Sequence, residues 1–185
     1  MPPGSCSSDS PASADRFLAD RFTGYWLRKI DPMRLLIAAI GSRPRAAFDD
    51  SARLYFERIA GYLPGSGKKP AVETPLYRGE ESFWEAIDRE RARTAPLLVL
   101  LDERGKTMDS QAFAAWFGRE RSADRQLIVF AIGPADGWSE GARKRASLLL
   151  SLGPMTLAHE LARVVLAEQI YRALTILANH PYHRS

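Results

Sequence analysis

Four segments of this chain are apolar without interruption, and each runs into a glycine. They are "MRLLIAAIG" (33–41), "PLLVLLDERG" (96–105), "QLIVFAIGPADG" (126–137) and "SLLLSLGPMT" (147–156). A strand with one wet face alternates apolar and polar residues, whereas a strand covered on both faces does not. These four therefore read as buried strands. Helical spacing fills the gaps between them. "AAFDDSARLYFERIAGY" brings Phe48, Ala52, Tyr55 and Ile59 to one face and is stopped by Gly61 and Pro64. "EESFWEAIDRERARTA" (80–95), "DSQAFAAWFGRERS" (109–122), "SEGARKRA" (139–146) and "HELARVVLAEQIYRALTILAN" (159–179) read as further helices, with Asp109 or Ser110 capping the second of these. The Pro/Gly-rich stretch 64–79 admits a short strand in "AVETPLY". Buried strands alternating with helices predict an α/β fold, a mainly parallel sheet covered by helices on both faces.

The chain of 185 residues predicts one domain with an appendage. Residues 1–32 differ from the rest: "MPPGSCSSDSPASAD" is a Pro/Ser-rich, low-complexity stretch expected to be disordered. In "RFLADRFTGYWLRKI", Leu18, Phe22, Tyr25 and Trp26 share a helical face that Gly24 weakens. This segment lacks the apolar core of a signal peptide, and Asp15, Asp20 and Asp31 argue against a transit peptide. We expect a dispensable extension over 1–32, the authentic start at Met33, and the functional domain over 33–185. Cys6 is the sole cysteine, which excludes an intrachain disulfide and fits a reducing, cytoplasmic setting. No apolar run reaches the roughly 20 residues that span a bilayer. A net charge of +4 and a pI near 9.4 suit a polyanionic partner without demanding one.

The last helix is unusual. Glu168, Arg172, Thr175 and Asn179 fall on one narrow polar stripe, and nearly everything else is apolar. A helix apolar over most of its circumference is covered on more than one side, which points to a partner subunit. Arg163 lies off that stripe. It reads either as a snorkelling surface residue or as a buried guanidinium holding an anion or an RNA phosphate.

Three strand ends, Leu101 to Gly105, Ile132 to Gly137 and Leu152 to Thr156, point toward one pocket, because ligands of open α/β sheets bind beyond the carboxyl ends of the strands. The dinucleotide and P-loop glycine signatures are missing, and so is a nucleophile elbow. His180 and His183 have no third metal ligand nearby, so no metal is expected. "RKR" (143–145) reads as a solvated helix face beside the glycine loops.

"LDERGK" (101–106), the glycine loop at 133–137, "RVVLAEQIYRA" (163–173) and the terminal "NHPYHR" (179–184) together resemble the RlmH family of SPOUT-superfamily methyltransferases. The resemblance runs from about residue 33 to the end and does not align 64–95. It implies a trefoil-knotted α/β domain acting as a homodimer in the cytoplasm. It also implies S-adenosylmethionine as methyl donor, and as target N3 of a pseudouridine in the helix 69 loop of 23S rRNA within an assembled ribosome. The implied cofactor residues are Leu101, Gly133, Leu152, Gly153, Pro154, Met155, Thr156 and Leu157. The catalytic candidates are His183, Tyr182, Arg184 and Arg163, with His183 the leading proton acceptor. Pro134 and Ala158 depart from the family pattern, which leaves an alternative: a ribosome-binding or assembly factor with impaired catalysis. A generic nucleotide-binding protein is a third reading that the tail disfavours.

Overall fold

The computed structural model describes residues 33–41, 46–63, 70–123 and 125–181. The readings made on residues 1–32 and on Tyr182, His183 and Arg184 lie outside this range. Strand β1 (Arg34–Ile40) leads into helix α1 (Ala46–Ala60), and two-residue strands β2 (Val72–Glu73) and β3 (Leu76–Tyr77) precede α2 (Glu80–Arg91). Then follow β4 (Leu97–Thr107), α3 (Ser110–Ser122), β5 (Leu127–Ile132), α4 (Glu140–Arg145), β6 (Leu148–Ser151) and α5 (His159–Leu177). The sheet order is β2-β1-β5-β4-β6, with β3 also on β1, and every pairing is parallel.

The continuous apolar runs are explained by which way alternate residues point. Leu35 and Ile37 of β1, Val99 of β4, and Ile128 and Phe130 of β5 join one cluster with Phe56 of α1, Phe113 and Phe117 of α3, and Leu166 and Ile170 of α5. Leu36, Ala38, Leu98, Leu100, Val129 and Ala131 join the other with Phe83 and Ile87 of α2, Trp138 just before α4 and Ala142 within it. Successive side chains leave a strand on opposite faces, so a sheet covered twice needs apolar residues at every position. Each fully buried Leu, Ile or Phe contributes about 1.5–3 kcal/mol.

Three boundaries differ from expectation. Helix α2 ends at Arg91 rather than at 95: the chain tightens there, the Arg93 and Thr94 N–H groups both reaching the Glu90 carbonyl at 2.9 Å, and Pro96 then holds the residue before it toward extended backbone. Strand β4 does not end where its glycine loop begins. Leu101 pairs with Leu150, the chain bulges, and Lys106 pairs with Leu150 again. At Gly105 the excursion lies so close to β6 that an added Cβ would stand 2.6 Å from the Leu149 carbonyl carbon and 2.7 Å from the Leu150 backbone, so only glycine fits.

The third difference is in α5. Thr175 is not part of an exposed polar stripe: it is fully buried, and its hydroxyl donates to the Arg172 carbonyl at 2.7 Å, a local bond that lets a threonine enter a core. Asn179 is not helical either. It has φ 54°, the His180 N–H reaches the Thr175 carbonyl at 2.9 Å, and the Asn179 N–H reaches that of Ile176 at 3.0 Å. This is the Schellman ending of a helix, and Pro181 just beyond it prevents the helix from resuming.

Candidate active site

The carboxyl ends of β4, β5 and β6 and the first turn of α5 surround a cavity of about 520 Å³, within the range of small-molecule sites. Leu101 stands just before the bulge of β4, Gly133 follows β5, and Leu152, Gly153, Met155, Thr156 and Leu157 follow β6; all seven line the cavity. Pro154 is not among the lining residues, although its neighbours on both sides are.

At the β4 end, the Asp102 carboxylate is almost wholly enclosed. Its Oδ2 accepts from Arg143 Nε at 2.7 Å and its Oδ1 from the Arg104 N–H at 2.9 Å. Burial pushes this carboxyl up, but the bonds from Arg143 and Arg104 and the two guanidinium charges outweigh it and hold the group below its ordinary range. Arg143 also donates to Glu140 at 2.9 Å.

At the β5 end, Pro134 opens a turn closed by the Gly137 N–H on the Pro134 carbonyl at 2.9 Å. Proline costs this turn nothing, since the position uses only the carbonyl. Trp138 then folds back, its indole N–H donating to the Leu101 carbonyl at 2.9 Å. Gly133 lies against that ring: a Cβ there would stand 2.8 Å from Trp138 Nε1. The first demand for glycine at 133 is therefore the indole, and the indole is what shapes the cavity wall.

At the α5 end, the N-cap is Ala158, which supplies no side-chain acceptor. His159 lines the cavity, and its buried Nε2 has no hydrogen-bond partner.

Arg163 does not line the cavity. Its Nη1 donates to Asp49 at 2.8 Å, its guanidinium lies 5.1 Å from the Phe56 ring centre, and its side chain is 12% exposed. Its charge is committed to α1 within the chain. The "RKR" stretch is not simply a solvated face either. Arg143 is paired with Asp102, Arg145 lies 3.9 Å from the Trp84 ring centre and pairs with Asp88 while staying 34% exposed, and Lys144 is exposed. Sequence reasoning missed Asp102, Trp138, Arg143 and His159 as parts of this wall. Asp102 lay in plain view inside "LDERGK", but its partner is 41 residues away.

Among the described residues no group of three or more His, Cys, Asp or Glu side chains could hold a metal ion, and no helix is long and apolar enough to cross a membrane.

A parallel, doubly covered sheet with three glycine-bearing strand ends around one cavity has the architecture of an α/β ligand-binding domain. The family described as "Predicted SPOUT methyltransferase" matches residues 33–183. Curated proteins called "Ribosomal RNA large subunit methyltransferase H" are similar over most of their lengths. The one from Koribacter versatilis is 44% identical, covering 82% of this chain and 98% of that protein. The one from Allorhizobium ampelinum is 43% identical, covering 83% and 100%. The chain belongs to this family of SPOUT methyltransferases. Among solved structures, a probable methylase family protein from Haemophilus influenzae Rd KW20 shares the fold, with TM-score 0.51 and 14% identity over 82% of this chain and 71% of that one.

Proposed function

We infer that this protein transfers a methyl group from S-adenosylmethionine to 23S rRNA, at N3 of a pseudouridine in the helix 69 loop, on the assembled ribosome. The observation that carries the reading is the convergence of seven family-matched residues on one cavity at three strand ends. The cavity suits the cofactor: an added Cβ at Gly153 would meet nothing within 4 Å, so the backbone there is open to a ligand, and the orphaned Nε2 of His159 stands in the same wall. When bound, S-adenosylmethionine supplies a methyl group already activated by its sulfonium. The chain's residues then have two tasks. The loops after β5 and β6 orient the donor so that N3 approaches in line. A base must take the N3 proton, and His183 is the candidate, with Tyr182 stacking on a base and Arg184 meeting phosphate.

We propose a homodimer with a shared site, in which α5 meets its counterpart: Leu161 and Leu177, near its two ends, stay 37% and 41% exposed on an otherwise apolar helix, and the tail that follows α5 serves the neighbouring subunit's pocket. Leu161, Val165, Glu168 and Arg172 form the α5 face proposed to meet that neighbour. We further propose that the chain carries the family's trefoil knot, and that the protein is cytoplasmic.

The alternative, a ribosome-binding factor with impaired catalysis, rests on Pro134 and Ala158. The turn accommodates Pro134, which favours the enzyme. Calorimetry with S-adenosylmethionine separates the two: the enzyme binds it, and the impaired factor shows no heat at millimolar ligand.

A further inference from the structure

Helix α2 contributes nothing to the cavity lining and carries none of the family motifs, yet it holds both ends of α4. In its first turn, Glu80 Oε1 accepts from Ser139 Oγ at 2.6 Å and from Trp84 Nε1 at 3.1 Å, and Oε2 accepts from the Ser139 N–H at 3.2 Å. Two turns later Asp88 pairs with Arg145, whose guanidinium covers Trp84. Ser139 is also the N-cap of α4, its Oγ accepting from the Ala142 N–H at 3.1 Å. A helix as short as α4 is not stable alone, so α2 acts as its splint. Burial raises the Glu80 carboxyl, but the bonds from Ser139 and Trp84 outweigh that and lower it, which keeps the acceptor charged.

We propose that Glu80 is a positioning residue for the cofactor pocket, acting through Ser139 to hold Trp138 and the 133–137 turn against the end of β4. Trp138 immediately precedes Ser139, and the indole's bond to Leu101 and its packing on Gly133 tolerate little movement. Freed of Glu80, the α4 cap shifts, the indole loses its register, and the wall of the cavity opens. The inference rests on the reading of this cavity as the cofactor site.

The test uses the full chain and calorimetric titration with S-adenosylmethionine, with thermal melting of each variant alongside. Glu80→Ala is expected to weaken affinity about 10-fold or more. It should raise the KM for the donor while kcat at saturation stays within a few-fold. Glu80→Gln keeps one oxygen to accept from Ser139 Oγ and Trp84 Nε1, loses the acceptor for the Ser139 N–H, and should recover part of the affinity. Should Glu80→Ala fail to fold, Ser139→Ala removes the hydroxyl link and the α4 cap while leaving the Ser139 N–H on Glu80, and is expected to weaken affinity several-fold. Wild-type affinity in Glu80→Ala or in Ser139→Ala overturns the proposal. So does Glu80→Gln binding as weakly as Glu80→Ala while melting at the wild-type temperature. An unmodified protein that does not bind the donor instead overturns the reading of the cavity, and this inference falls with it.

Discussion

Arg143 Nε lies 2.7 Å from Asp102 Oδ2, joining the residue that follows Leu101 in β4 to the middle of α4 across 41 positions of sequence. The Asp102 side chain is 3% exposed and that of Arg143 is 18% exposed. In such a setting the loss of one partner costs more than the pair contributes, because the other charge stays behind.

Asp102→Asn is therefore expected to destabilise the fold at neutral pH, though Arg143 keeps Glu140 as a second partner, which limits the loss. The sign with pH follows from the lowered folded value of Asp102. Its contribution is fully present above the ordinary carboxylate value of 3.8 and is lost as pH falls through the lower folded value. Urea unfolding of both proteins from pH 7 to pH 3 should show a gap that is constant down to about pH 4 and closes below it. A gap that stays constant to pH 3 would contradict the pairing.

Gly133→Val should abolish measurable binding of S-adenosylmethionine. The reason is not only that a branched side chain fills ligand space: the new Cβ drives the Trp138 indole from the Leu101 carbonyl. Gly133→Ala should therefore also weaken binding, and adding Trp138→Ala to it should not weaken binding further. Independent, additive losses in calorimetry would show that the two positions act separately.

The sheet was legible because its strands are unbroken apolar runs, the helices because their apolar residues recur at helical spacing, and the cavity because three strand ends carried glycine. The Asp102–Arg143 pair and the Trp138 indole were not, because both depend on contacts between elements rather than on spacing within one. Thr175 misled for a physical reason. Its hydroxyl bonds to its own helix, so a residue that counts as polar in a stripe behaves as apolar in a core. Asn179 likewise counted as helical until its left-handed backbone identified it as the stop.

Val165→Arg should give monomers or aggregates if the exposed side of α5 meets a second subunit. Light scattering on the unmodified protein should report twice the chain mass of 20.6 kDa. A stable monomer would refute the shared site.

Removal of Tyr182 to Ser185 should leave cofactor affinity nearly unchanged and eliminate methyl transfer. His183→Ala should slow single-turnover transfer by about 10²–10⁴-fold. Arg184→Ala should chiefly weaken ribosome binding and flatten its salt dependence. A truncated chain working at the full rate would mean that the proton is taken elsewhere.

The central claim is tested most directly by incubating purified ribosomes with the protein and S-adenosylmethionine, then identifying the modified nucleotide in the rRNA by mass spectrometry. The account predicts one added methyl group on N3 of a single pseudouridine in the helix 69 loop of 23S rRNA. Methylation of another nucleotide, or none from a protein that binds the donor, would contradict it.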